Sequence, residues 1–227
     1  MRVAIYFTPS PEDALTRCAS TWLGRDAFTG RATRQADPAI DTLVAEPARY
    51  GFHATMKAPF RLASRADIEH LDQALELFCA SRESFVLETL QLARIEAFFA
   101  LTPYKPSQEL PELEQDVVET FDGFRAPLSE EERSRRQPDL LTDRQRHNLD
   151  VWGYPHVRED FRFHMTLTGP LPDDANASAV EARLAAHLAN TTERPLSIDG
   201  LALFVEPQPG LPFVVHARHP FGPAALS

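Results

Sequence analysis

The apolar positions of this chain change period along its length, and the changes predict strands alternating with helices. Arg2 to Phe7 is a short apolar run stopped by Thr8-Pro9, the form of a strand. Ser10-Pro11-Glu12-Asp13 then offers an N-cap, a proline for the first turn and acids near the positive end of a helix dipole. Leu15, Cys18, Trp22 and Leu23 follow at helical spacing. Residues 24–49 mix Gly, Pro, Thr and Asp without a clear period and read as a long connection, with one helical turn near 40–44. A strand is expected from Tyr50. Ser64 caps a helix with Ile68, Leu71, Leu75 and Phe78 on one face, and the runs 85–92 and 94–101 read as two strands. Ser107 caps a further helix carrying Leu110, Leu113, Val117 and Phe121, with Gly123 as its stop. Residues 125–155 are polar and Arg-rich, fitting short helices. A strand over 161–168, a helix with Ala177, Val180, Leu184 and Leu188 on one face, and strands near 196–205 and 213–217 complete the pattern.

Segments 50–101 and 160–218 thus share the order strand, helix, strand, strand. Shifting the first by 111 residues superposes His53 on His164, Thr55 on Thr166 and Pro59 on Pro170. The expected fold is α+β: one bilobal domain over 1–227, duplicated with pseudo-twofold symmetry, its mainly antiparallel sheets lining a central groove and its helices outside. A helical insertion over about 105–155 separates the two repeats.

The superposed strands carry the candidate chemistry. Gly51-Phe52-His53-Ala54-Thr55-Met56-Lys57 and Arg162-Phe163-His164-Met165-Thr166-Leu167-Thr168 each alternate, so one face is apolar and the other presents an imidazole and a hydroxyl. Roughly half a His-x-Thr triplet is expected by chance in such a chain, and two copies each preceded by Phe are expected only about once in a thousand. The pair is therefore informative where either copy alone is not. Alternation also puts Lys57 and Arg162 on the histidine faces, as cations suited to phosphate.

Composition narrows the ligand. The 227 residues carry a net charge of -10, which disfavours a long polyanion such as duplex DNA and favours a small ligand. No stretch approaches the roughly 18 apolar residues of a membrane span, and the first apolar run is too short for a secretory signal, so the sequence predicts a cytoplasmic protein. Cys18 and Cys79 fall on apolar helix faces and read as reduced core thiols. The remaining histidines show no metal-ligand spacing, so neither a metal nor another cofactor is expected.

The paired motifs resemble the two-histidine (2H) phosphoesterase superfamily, whose signature is one His-x-Ser/Thr strand per lobe, facing across a groove. The stretches Tyr50 to Phe60, Leu141 to Gln145, Trp152 to Pro155 and Phe161 to Gly169 are similar to a bacterial branch of that superfamily linked to phosphonate metabolism. The resemblance implies a metal-independent phosphodiesterase opening a small cyclic or nucleotide-derived diester. His53 and His164 would be general base and acid, in an order the sequence leaves open, and Thr55 and Thr166 would bind phosphate oxygens. Lys57 and Arg162 would grip the phosphate, and the branch resemblance adds Tyr154 and Arg144 as substrate contacts. The implied partner is a small phosphodiester, with no long nucleic acid and no membrane. Two other readings fit the same residues: a sensor that binds a phosphorylated metabolite or nucleotide without turnover, and RNA-end processing or ligation.

Overall fold

A computed structural model describes residues 1–172 and 174–222. Strand β1 (Arg2–Phe7) leads into helices α1 (Ala14–Leu23) and α2 (Pro38–Tyr50). Strand β2 (Ala54–Phe60), helix α3 (Ile68–Ala80) and strands β3 (Phe85–Leu87), β4 (Leu90–Ile95) and β5 (Phe98–Pro103) follow. The middle of the chain is helical, with α4 (Glu109–Thr120), α5 (Glu130–Ser134) and α6 (Asp143–Trp152). The last part holds β6 (Met165–Thr166), α7 (Ala175–Thr192), β7 (Leu196–Ile198), β8 (Gly200–Glu206) and β9 (Val214–Pro220).

Among the described residues, seven strands make one antiparallel sheet in the order β4-β5-β6-β2-β1-β8-β9, while β3 pairs with β7 separately. The period-two pattern of β1 shows how the sheet divides its faces. Val3, Ile5 and Phe7 join the main core with Leu15, Leu75, Val117 and Leu184 from α1, α3, α4 and α7. Ala4 and Tyr6 point the other way, into a small cluster with Phe204 and Phe213. Helices α1, α3, α4 and α7, with Ile40 and Val44 of α2, therefore pack on one face, and the groove lies on the opposite one.

Several elements differ from the sequence expectation for physical reasons. The connection over 24–49 contains the helix α2, started by the Asp37 side chain on Ala39 N–H and by Pro38 in its first turn. An internal proline, Pro47, disguised it, because proline removes a helical donor. The Leu43 carbonyl left without that donor accepts from Gly169 N–H at 2.7 Å, which ties α2 to the end of the second motif. Helices α1 and α3 are capped by Asp13 and Asp67 rather than Ser10 and Ser64. The second His-x-Thr strand shrinks from 161–168 to two residues. The runs 85–92 and 196–205 each split into two strands, since the chain turns from the small sheet to the large one within the run.

Position in the sheet also departs from order in the chain. Strand β5 lies beside β6, and β1 takes the corresponding place beside β2, with β4 and β8 next outward and β9 beyond them at the edge. The N-terminal strand thus stands where the repeat pattern would put the last strand of the second copy.

Candidate active site

Strands β2 and β6 meet through Ala54 opposite Met165, the middle residues of the two motifs, both fully buried on the core side. Antiparallel pairing then sets His53 across from Thr166 and Thr55 across from His164, all on the groove face. The imidazoles occupy one diagonal of this square and the hydroxyls the other. Diagonal neighbours on such a pair stand roughly 7–8 Å apart, close enough to flank one phosphorus.

Both rings are oriented by the same device. His53 Nδ1 lies 2.9 Å from the Gly51 carbonyl and His164 Nδ1 lies 2.7 Å from the Arg162 carbonyl. A carbonyl only accepts, so each Nδ1 carries the proton and each Nε2 is the position left to exchange one: an acceptor when the ring is neutral, a donor when it is charged. Gly51 serves this geometry directly. Its φ is +81°, and a Cβ there would come within 2.5 Å of the Ala27 Cβ. Thr55 Oγ1 lies 3.4 Å from His53 Nε2, a long hydrogen bond in which the hydroxyl donates to the neutral ring.

The surroundings of the two rings differ. His53 stacks on Tyr6, with centroids 3.8 Å apart and planes 20° apart, and Phe204 stands 6.1 Å away. Burial pushes its pKa down to about 4, against the opposing pull of the Gly51 carbonyl and with a small repulsion from His164. His164 faces Phe98 at 5.8 Å. Its pKa is also lowered, first by burial and then by Arg162 and His156, while the Arg162 carbonyl acts against them.

Two cavities open over these groups and share Thr55, Ala58, Phe98 and Tyr154 as walls. The one over His53, Thr55, Thr166 and Thr168 has a volume of about 400 Å³, and the one over Thr55 and His164 about 280 Å³. Together they form a groove spanning both motifs.

The other candidate residues divide. Tyr154 stands in the shared wall, and Arg162 lines the His164 cavity. Lys57 does not face the groove. Between the pairs Tyr6↔Thr55 and Ile5↔Lys57 the register slips by a bulge, which places Lys57 opposite a core residue. It is only 4% exposed, and its ammonium donates to Asp122 at 3.1 Å and to the Val118 carbonyl at 3.0 Å. Simple alternation fails across the bulge, so the expected phosphate contact is corrected to a buried ion pair. Arg144 is likewise outside the groove. It makes two hydrogen bonds to Asp160, at 2.6 and 2.9 Å, and fastens α6 to the loop that carries Tyr154 and His156.

Sequence reasoning missed Arg2, Tyr6 and Arg136, all of which line the larger cavity. Arg2 and Tyr6 were legible in the alternation of β1, which opposes them to Val3, Ile5 and Phe7. Arg136 follows α5 within a charged stretch and carries no comparable signal. Among the described residues no group of three or more His, Cys, Asp and Glu side chains is arranged to hold a metal ion. No helix among them is long and apolar enough to cross a membrane.

Fold and site together define an α+β protein with two histidine-threonine pairs facing one another on a single antiparallel sheet. The chain belongs to the family described as "Protein of unknown function (DUF1045)", whose model matches residues 55–214. It is 40% identical over 232 residues to a Janthinobacterium sp. (strain Marseille) protein named ribose 1,5-bisphosphate phosphokinase PhnN, covering 97% of this chain and 51% of that protein. A protein of the same name from Laribacter hongkongensis (strain HLHK9) is 36% identical over 217 residues, covering 94% of this chain and 50% of the relative. The chain therefore spans about half the length of these relatives. Among solved structures, Escherichia coli LigT complexed with 3'-AMP is similar at TM-score 0.45 and 12% identity, covering 97% of this chain and 98% of LigT. TT0787 of Thermus thermophilus is similar at TM-score 0.48 and 11% identity, covering 99% of this chain and 100% of that one.

Proposed function

We propose that this protein is a metal-independent phosphodiesterase of the two-histidine type, opening a small cyclic phosphodiester in a groove built by two related halves. The observation that carries the reading is the Ala54↔Met165 pairing, which sets two imidazoles on one diagonal, each with its Nδ1 held by a backbone carbonyl. His53, whose burial holds it neutral, takes a proton from water through Nε2. The water oxygen bonds to phosphorus as the opposite phosphorus–oxygen ring bond breaks. His164, charged, gives its Nε2 proton to the departing oxygen, leaving a phosphomonoester and a free hydroxyl. Thr55 and Thr166 donate to the non-bridging oxygens as negative charge grows on them. Proton exchange with solvent then resets both rings.

The name of the Janthinobacterium and Laribacter relatives, a ribose bisphosphate kinase, supports a ribose-derived cyclic phosphate as the substrate class. The test is a phosphorus NMR screen of cyclic phosphodiesters, with and without EDTA. Turnover that survives chelation and disappears in the His53→Ala/His164→Ala double variant is the expected result. A double variant that folds and turns over normally contradicts the proposal, and stable binding without product favours the sensor reading.

A further inference from the structure

The larger cavity extends past the His53 ring to a polar end that hydrolysis of one phosphodiester leaves unused. Arg2, Tyr6, Tyr50, Arg136 and Tyr154 converge there. Tyr6 is 1% exposed, and its hydroxyl has no hydrogen-bond partner among the described residues. Burial raises the pKa of that hydroxyl and keeps it protonated, as a donor within the cavity that Tyr50, Tyr154, Arg2 and Arg136 also line. The Arg136 guanidinium has no carboxylate or carbonyl partner among the described residues and lies 4.9 Å over the Tyr154 ring. Arg2 is held by the fully buried Glu206 through hydrogen bonds of 2.5 and 3.0 Å, and Arg49 joins the same carboxylate, so that cluster keeps a net positive charge. Glu46, exposed, is the only carboxylate lining this cavity among the described residues.

The His164 cavity has the opposite balance. Glu96, Glu114 and Asp160 line it against Arg162 alone among fixed cations. Burial pushes the Glu114 carboxyl up to about 7, and Arg144 pairs with Asp160, but neither adds a free cation. The groove is thus polarised, with its positive end beyond His53.

We propose that this end is a subsite for a second phosphate group carried by the same substrate. Arg136 is its free guanidinium and the Tyr6 hydroxyl its unused donor. This rests on the phosphodiesterase reading and deepens it: the substrate is a sugar cyclic phosphodiester with a separate phosphomonoester, oriented with that phosphate on the His53 side. A cavity of about 400 Å³ has room for a sugar and a phosphate.

The test uses two probes, ribose 2,3-cyclic phosphate and the same molecule bearing a 5-phosphate. Both kcat/KM and calorimetric Kd are measured for wild type, Arg136→Ala and Arg136→Lys. Wild type is expected to prefer the 5-phosphate probe by at least about tenfold, the size of one charge-assisted hydrogen bond. Arg136→Ala should erase most of that preference, chiefly through KM, and Arg136→Lys should restore part of it. Equal handling of both probes by wild type, or a preference untouched in Arg136→Ala, overturns the subsite while leaving the phosphodiesterase intact. If neither probe is turned over, the phosphodiesterase reading fails for these esters and the Kd ratio decides the subsite by the same criterion.

Discussion

Tyr6 and Ala100 occupy corresponding places on either side of the motif pair: Tyr6 lies opposite Thr55 and Ala100 opposite Thr166. At that place one half stacks an aromatic ring on its histidine at 3.8 Å, and the other has a methyl group, its nearest described ring being Phe98, tilted at 5.8 Å from His164. The two motifs have the same residue types and the same Nδ1-to-carbonyl bond, yet His53 is driven to about 4 while His164, whose pKa is also lowered by burial, keeps company with Arg162 and His156. In the proposed mechanism the duplicated motif sets up two equivalent proton-transfer groups. The strand beside each one makes them unequal, and unequal imidazoles are what an acid and a base require.

The largest expected effect breaks the pair itself. His53→Ala and His164→Ala should each cost at least about a hundredfold in kcat, as loss of a general acid or base does. Their residual pH profiles should differ. A base must be neutral, so wild-type kcat/KM should rise with pH through the His53 pKa of about 4. An acid must be protonated, so it should fall as pH climbs through the His164 pKa, which lies below 6.5. His53→Ala should remove the acid limb and His164→Ala the alkaline one; the reverse pattern exchanges their roles.

A smaller effect sharpens the comparison. Tyr6→Ala makes the first half resemble the second, rehydrates His53 and lets its pKa climb toward the ordinary 6.5. The acid limb should move up by a unit or more, costing about twofold at pH 5 for one unit and about tenfold for two, while the alkaline limb stays in place. An unmoved acid limb would show that the stack does not set the His53 pKa. Smallest is Arg144→Ala. Its ion pair with Asp160 is exposed on the arginine side, so stability should change little. Thermal unfolding and kcat/KM check this together, and a large loss of turnover with an intact fold would return Arg144 to the groove.

The His-x-Thr alternation and the helices with clean apolar stripes were legible because period and burial agree there, whereas the length of the second motif's strand, Met165–Thr166, was not. Leu71, Leu75 and Phe78 are core residues as their spacing implies, and so are Val180, Leu184 and Leu188. Helix α2 was hidden because Pro47 sits inside it and a distant glycine N–H satisfies the freed carbonyl. Lys57 was misplaced by a bulge, a register event that only the pairing of β1 with β2 creates. Tyr6 was written in the alternation of β1 but belongs to the site only because β1 lies next to β2, a neighbour set by tertiary topology.

A crystal structure with orthovanadate or phosphate in the groove would bear on the paired imidazoles without any intermediate step. The expected result is an ion with separate oxygens within hydrogen-bond reach, about 2.6–3.2 Å, of both His53 Nε2 and His164 Nε2, and with Thr55 and Thr166 on its remaining oxygens. An ion held by only one imidazole, or either ring turned so that Nε2 faces away from it, would contradict the two-histidine mechanism.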